Sequence, residues 1–196
     1  VAAGRPPGSV QLLPVTKTRP VADVRAALAA GCHRFGENKA QEARAKAAEL
    51  AGVPGLEWVM IGHLQSNKAK LVAEFAVEYQ GLDSLSLAAE LDRRLQAAGR
   101  SLDVLIEVNS SGEDSKFGLP AAEVPAFAAS LAPFDALRVR GLMTLALPSP
   151  DKARVASCFE SMLGVQRQLR DAALPDQSQH RDDQARVQVT HQRAQA

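Results

Sequence analysis

The sequence predicts an α/β fold in which consecutive βα units wrap a parallel sheet, and three observations carry that prediction. Short apolar runs rich in Val, Leu and Ile alternate with longer Ala-rich stretches whose charges fall at helical spacing. Each apolar run closes in a compact polar or glycine-containing cluster. A chain of 196 residues with 46% hydrophobic content can bury one sizeable core, and its length argues for one domain.

Taken in chain order, six strands are expected: Val10 to Val15, His33 to Phe35, Glu57 to Ile61, Val77 to Leu82, Asp103 to Val108 and Leu137 to Leu142. Each is a short apolar run bounded by turn formers. The helices that follow them should begin near Pro20, Asn38, Asn67, Ser84, Pro120 and Pro150. Pro20, Pro120 and Pro150 suit a first turn, where the missing N–H costs nothing. Ser84 precedes the amphipathic stretch LSLAAELDRRLQAAG, which closes on Gly99 as a C-terminal stop.

Composition narrows the function. Lys and Arg total 23 against 22 Asp and Glu, so the chain lacks the basic field that gathers nucleic acid or an anionic membrane. Cys32 and Cys158 are far apart and form no CxxC pair, which suits two ordinary thiols in a reducing compartment. No apolar run approaches the ~18 residues of a membrane helix, and VAAGRPPG does not read as a signal peptide. A cytoplasmic protein is expected, and the triplet Asn109-Ser110-Ser111 then carries no weight as a glycosylation site.

The clusters that close the strands are Thr16-Lys17-Thr18, Gly36-Glu37-Asn38, Gly62-His63, Asp83-Ser84, Asn109-Ser110-Ser111-Gly112 and Met143-Thr144. In a parallel βα array such carboxyl ends converge on one face, where barrels and doubly wound sheets place ligands. The plainer reading of any one cluster is that turns need Gly, Asn and Ser. Lys17 is the sharpest candidate, because it emerges from the end of an expected buried strand. Partial desolvation there would favour the neutral amine that attacks an aldehyde, which points to Schiff-base chemistry; a salt-bridged structural lysine is the usual alternative. Arg19 and Lys116 would add positive charge for a phosphate, or be solvated loop charges.

LLPVTKTRP at 12–20, FGENKAQE at 35–42, IGHLQSNK at 61–68, DSLSLAAEL at 83–91, NSSGEDSKFGL at 109–119 and RGLMTL at 140–145 resemble, in order, the blocks of the pyridoxal phosphate homeostasis proteins. The resemblance spans roughly residues 4 to 175. It implies a TIM-type (β/α) barrel of the alanine racemase N-terminal type, with pyridoxal 5'-phosphate held at its mouth as a Schiff base on Lys17. Asn38, His63 and Met143 would line the cofactor pocket, Asn109, Ser110 and Ser111 would form the neighbouring loop, and Glu37, Gln65 and Asn67 would brace it. On the residues alone, His63 also fits a loop histidine bonded to a backbone carbonyl, and Asn38 a helix cap.

The sequence departs from the family at both ends. It opens in AGRPPGSVQ, like the end of a first helix, so the helix before it is expected to be absent. After Leu174-Pro175 the family continues into two strands with segments like SMGMS and VRIGTAIFG, whereas residues 176–196 read DQSQHRDDQARVQVTHQRAQA. That composition buries too little apolar surface to offset chain ordering, so the expected organisation is a truncated barrel domain over 1–175 and a disordered tail over 176–196. About six βα units leave open edges on the first and sixth strands. A phosphate cup made of hydrogen bonds worth roughly 1.5 to 3 kcal/mol each would be missing, weakening cofactor binding by several orders of magnitude.

The expected function is a non-catalytic carrier of the cofactor, with acceptor apo-enzymes as further partners; a complete barrel is expected to be a monomer. The alternatives are an alanine-racemase-like enzyme or a truncated product with impaired binding. Two-base racemisation needs an acid or base on each face of the substrate, and alanine racemases take the second from a tyrosine in an added β-domain. Tyr79, the only tyrosine, lies within an expected strand.

Overall fold

The computed structural model describes residues 4, 6, 8–113 and 116–172, and the backbone of 186–189. Six strands form one sheet in chain order: β1 (Arg34–Glu37), β2 (Glu57–Met60), β3 (Glu78–Leu82), β4 (Leu102–Glu107), β5 (Leu137–Thr144) and β6 (Arg186–Val189). Every neighbouring pair is parallel, so each connection crosses over through the helix layer and brings the chain back to the same end. The helices are α1 (Val21–Ala29), α2 (Ala40–Glu49), α3 (Ala69–Phe75), α4 (Leu85–Ala97), α5 (Val124–Ser130) and α6 (Lys152–Ala172). This is the parallel α/β architecture expected of a racemase-type barrel, and among the described residues its sheet remains open between β1 and β6.

Two apolar clusters join helices to sheet. Phe35 and Trp58, with ring centroids 6.0 Å apart, pack with Val24 of α1 and with Leu50 just beyond α2. The larger cluster places Leu87, Leu91 and Leu95, a stripe at helical spacing on α4, against the layer that holds Leu102, Val104 and Ile106. Full burial of each such leucine contributes about 1.5–3 kcal/mol. The Ser84 hydroxyl accepts the Leu87 N–H at 3.2 Å to cap α4, and Gly99 follows at a φ of +62°, as its sequence announced. The long α6 is capped by Asp151 Oδ1, which accepts from Ala153 N at 2.9 Å. The proline nearby, Pro150, lies outside that cap rather than in the first turn.

One expected strand does not form. Over Val10 to Val15 only Val15 makes a bridge, to Gly36, through Gly36 N–H to Pro14 O at 2.8 Å and Thr16 N–H to Gly36 O at 3.0 Å. Pro14 has no N–H to extend a ladder, and among the described residues no strand lies on the segment's other side. Val10 and Leu12 accordingly remain 70% and 76% exposed, and the run is not the buried strand its composition suggested. Two expected helix starts open instead as single 3-10 turns, Ser66–Lys68 and Ala121–Glu123, before α3 and α5.

The sixth-strand edge also differs from expectation. The backbone of β6 pairs in parallel register with β5, from Gly141 opposite Arg186 to Thr144 opposite Val189. The remainder of the expected disordered tail, residues 176–185 and 190–196, lies outside the described residues, as does the expected absence of a phosphate cup. Cys158 is buried, Cys32 is half-buried and both are free thiols. Among the described residues no helix is long and apolar enough to cross a membrane.

Candidate functional site

Because all strands are parallel, their carboxyl ends form one rim, and a chain of short contacts ties the rim together. The segment after Val15 enters it first. Thr16 is buried, its Oγ1 donates to Glu37 Oε1 at 2.7 Å, and its carbonyl accepts Lys46 Nζ at 2.6 Å. Thr18 donates its N–H to Glu42 Oε1 at 2.7 Å. Lys17, between them, is half-buried and has no hydrogen-bond or ion-pair partner among the described residues. Lys17 follows the Val15 bridge onto the rim, and no acidic side chain among the described residues pairs with it.

Asn38 follows β1 directly, and its Oδ1 is buried with no hydrogen-bond partner among the described residues. It does not cap α2, whose cap position is Lys39 with no side-chain bond. A side-chain oxygen withdrawn from water without a partner is costly unless a ligand supplies the donor. The Asn38 backbone rests on Gly62, where a Cβ would come within 2.3 Å of the Asn38 carbonyl. Gly62→Ala should therefore push the Asn38 turn off the rim, costing about 1–3 kcal/mol of stability as overpacked sites do. A chemical-denaturation midpoint equal to that of the parent would contradict this packing.

The His63 side chain is 37% exposed and stacks flat on Phe117, with centroids 4.0 Å apart and planes 9° from parallel. Its Nδ1 stands 4.0 Å from Asp83 Oδ2, and the same carboxylate oxygen accepts Gly118 N–H at 3.3 Å. Neither contact is the backbone carbonyl bond that the sequence left open for His63. The Asn109 loop closes on itself: Asn109 Nδ2 donates to Glu113 O at 2.8 Å, while its Oδ1 accepts from Ser111 Oγ and from Gly112 N–H, each at 3.1 Å. Thr144 Oγ1 donates to Val108 O at 2.8 Å. Its single proton is then used, so Ser110 Oγ is the donor in their 2.7 Å contact.

Lys17, Asn38 and His63 thus sit on three successive strand ends of one rim, whereas Met143 lies one step lower. Met143 is 1% exposed on β5 and pairs in register with Glu107 of β4, so the two side chains point to the same face of the sheet. Glu37 braces the Lys17 segment as expected, but Gln65 and Asn67 are exposed and neither side chain is hydrogen-bonded among the described residues. Arg19 is exposed, and Lys116 pairs with Glu113 at 2.6 Å.

Four groups that matter here went unremarked in the sequence or were undervalued. Lys46 is buried, and its ammonium donates to Thr16 O, Glu37 Oε1 at 2.6 Å and Glu42 Oε1 at 2.8 Å. Burial alone would lower its pKa, but Glu37 and Glu42 outweigh that and hold it above the ordinary lysine value. Glu42 is held below the usual carboxylate value, first by its bond from Lys46. Beneath the rim, burial and then the Asp83 charge push the Glu107 carboxyl up to about 7. Tyr79 is fully buried, donates to Gly81 O at 2.5 Å, and is raised well above 10, chiefly by burial. The available signal for Lys46 was its place in the Ala40, Ala43, Lys46, Leu50 stripe, where the helix turns its apolar side inward.

A parallel βα array with a lysine-bearing loop after its first extended segment defines a class, and the comparisons agree with it. The chain belongs to the alanine racemase N-terminal domain family, whose model matches residues 2–180. Within that class its similarity is to pyridoxal phosphate homeostasis proteins. It is 44% identical to the one from Pseudomonas aeruginosa over 158 residues and 43% identical to that of Escherichia coli over 154, matches that take in 81% and 78% of this chain. Those matches span about two thirds of the curated relatives, 68% and 65% of their lengths. Among solved structures it resembles PipY of Synechococcus elongatus without PLP, with a TM-score of 0.80 and 37% identity over 88% of this chain and 80% of that one. It also resembles PipY with PLP bound, with a TM-score of 0.74 and 36% identity over 86% of this chain and 80% of that one.

Proposed function

We propose that this chain is a pyridoxal 5'-phosphate-binding protein of vitamin B6 homeostasis, with Lys17 as the lysine that takes the cofactor. The observation that carries the reading is Lys17 itself, half-buried on the segment that enters the rim and free of any acidic partner among the described residues. The residues present fit the group: Lys17 offers a nucleophilic nitrogen, and the unsatisfied Asn38 Oδ1 offers an acceptor beside it on the next strand end. The cofactor, when bound, supplies an aldehyde whose carbon joins an amine nitrogen with release of water. His63, stacked on Phe117, would form an aromatic wall, and Met143 an apolar floor. The names of the Pseudomonas and Escherichia relatives, and PipY with PLP bound, support the same reading. We assign a carrier that passes the cofactor to acceptor apo-enzymes in the cytoplasm, in keeping with two unpaired cysteines.

A racemase reading has less to draw on. The chain's one tyrosine, Tyr79, is sealed in the core with its proton held firmly, so it offers no second base at the rim. Titration with pyridoxal 5'-phosphate should give an absorbance band near the visible edge that borohydride abolishes and that Lys17→Ala lacks. Appearance of D-alanine from L-alanine at a useful rate would overturn the carrier assignment.

A further inference from the structure

We propose that Lys46, acting through Glu37 and Glu42, is a positioning group that fixes the Thr16–Thr18 segment and so sets where the Lys17 amine stands; this rests on the reading of Lys17 given above. Three observations carry it. First, the three N–H donors of the Lys46 ammonium meet three acceptors, Thr16 O, Glu37 Oε1 and Glu42 Oε1, so the group is saturated and rigid rather than reactive. Second, the acceptors reach both neighbours of Lys17. Glu37 accepts a hydrogen bond from the Thr16 hydroxyl, and Glu42 accepts one from the Thr18 N–H. Third, Thr18 sits at a φ of +61°, the one non-glycine residue in that region among the described residues.

A β-branched residue enters the left-handed region only where its surroundings over-determine it. The Thr18 N–H bond to Glu42, itself anchored by Lys46, supplies that constraint. A relaxed segment would let residue 18 return to negative φ, swinging the Lys17 side chain away from the rim it shares with Asn38. The two lysines therefore have separate tasks. Lys46 is tied to carboxylates from 2.6 to 2.8 Å and holds the segment, and Lys17 has no such partner among the described residues. Its orientation is prepared before any ligand arrives, which is where positioning gains rate.

The test uses the whole chain and two variants. Lys46→Met with Glu37→Leu removes the fully buried ion pair as a unit, leaves only the half-buried Glu42 without its lysine partner and is expected to fold. Glu42→Gln keeps the side-chain shape while discarding the charge that holds Lys46 and Thr18. In both, hydrogen exchange at the Thr18 amide should speed up at least tenfold without any cofactor present. The rate of borohydride-stable adduct formation on Lys17 with pyridoxal 5'-phosphate should fall about tenfold in the double variant and less in Glu42→Gln, at a temperature where circular dichroism shows each folded. The double variant removes one positive and one negative charge together, so the pH midpoint of adduct formation should stay where it is while the rate drops. An unchanged rate and unchanged Thr18 protection in the double variant would overturn the inference. Absence of a Lys17 adduct in the unmutated chain would instead sink the underlying functional reading.

Discussion

Replacing Lys46 alone by methionine is expected to destabilise the protein by about 3–5 kcal/mol, the usual consequence of stripping one partner from a buried ion pair. Glu37 is fully buried, and its Oε2 has no partner among the described residues, so Oε1 carries the compensation, from Lys46 and the Thr16 hydroxyl. Without Lys46 the carboxylate keeps one neutral donor, and the Thr16 carbonyl loses its bond. Removing Glu37 as well, as Lys46→Met with Glu37→Leu, should recover most of the loss, because the cost lies in the stranded charge. Urea unfolding of the single and double variants checks both statements. A single variant within about 1 kcal/mol of the parent would show that the pair contributes only what an exposed ion pair does.

The second large effect is a loss of stability on raising the pH. Glu107 titrates near 7 in the fold against an ordinary value of 4.5, because burial and the neighbouring Asp83 charge disfavour its ionised form. Between those values the folded chain keeps a proton that the unfolded chain has released, so unfolding gives up a proton and stability falls as pH rises. The fall begins near 4.5, ends just above 7, and amounts to about 3 kcal/mol if Glu107 acts alone. Glu42 contributes the opposite slope, since its carboxyl is held below the ordinary value by Lys46, but that gain is complete once pH has risen to about 4.5. Glu107→Gln, a neutral isostere, should remove the decline and be the more stable protein on the alkaline side. Parallel pH-stability curves for the two proteins across the window would show that Glu107 ionises freely in the fold.

Much of this architecture is legible in the sequence, and the places where the two differ have local causes. Alternation of Val, Leu and Ile runs with Ala-rich helices located five of the six expected strands, and the Ser84 cap and Gly99 stop bounded α4 closely. The run from Val10 to Val15 was misread because apolar content registers burial but not the missing N–H of Pro14 or the absence of a described neighbour on its outer side. The polar clusters put Lys17, Asn38 and His63 at strand ends, since parallel strands must deliver their ends to one side, while the pocket roles of Asn38 and His63 came from the family resemblance. Lys46 escaped notice because a lysine four residues after a glutamate on a helix reads as an ordinary surface pair. Its burial arises from Glu37 on a neighbouring strand, a tertiary relation that spacing does not encode. Glu107 was hidden in the same way, as the polar end of an apolar run whose proton affinity depends on Asp83, a residue of another strand end.

Lys17 is the proposed covalent attachment point, and peptide mass spectrometry after borohydride fixation of the chain with pyridoxal 5'-phosphate tests that directly. One reduced pyridoxyl group on Lys17, with Lys46 unmodified, is the predicted outcome. A label on Lys46 or Lys116 in place of Lys17, or no fixed label at all, would contradict it.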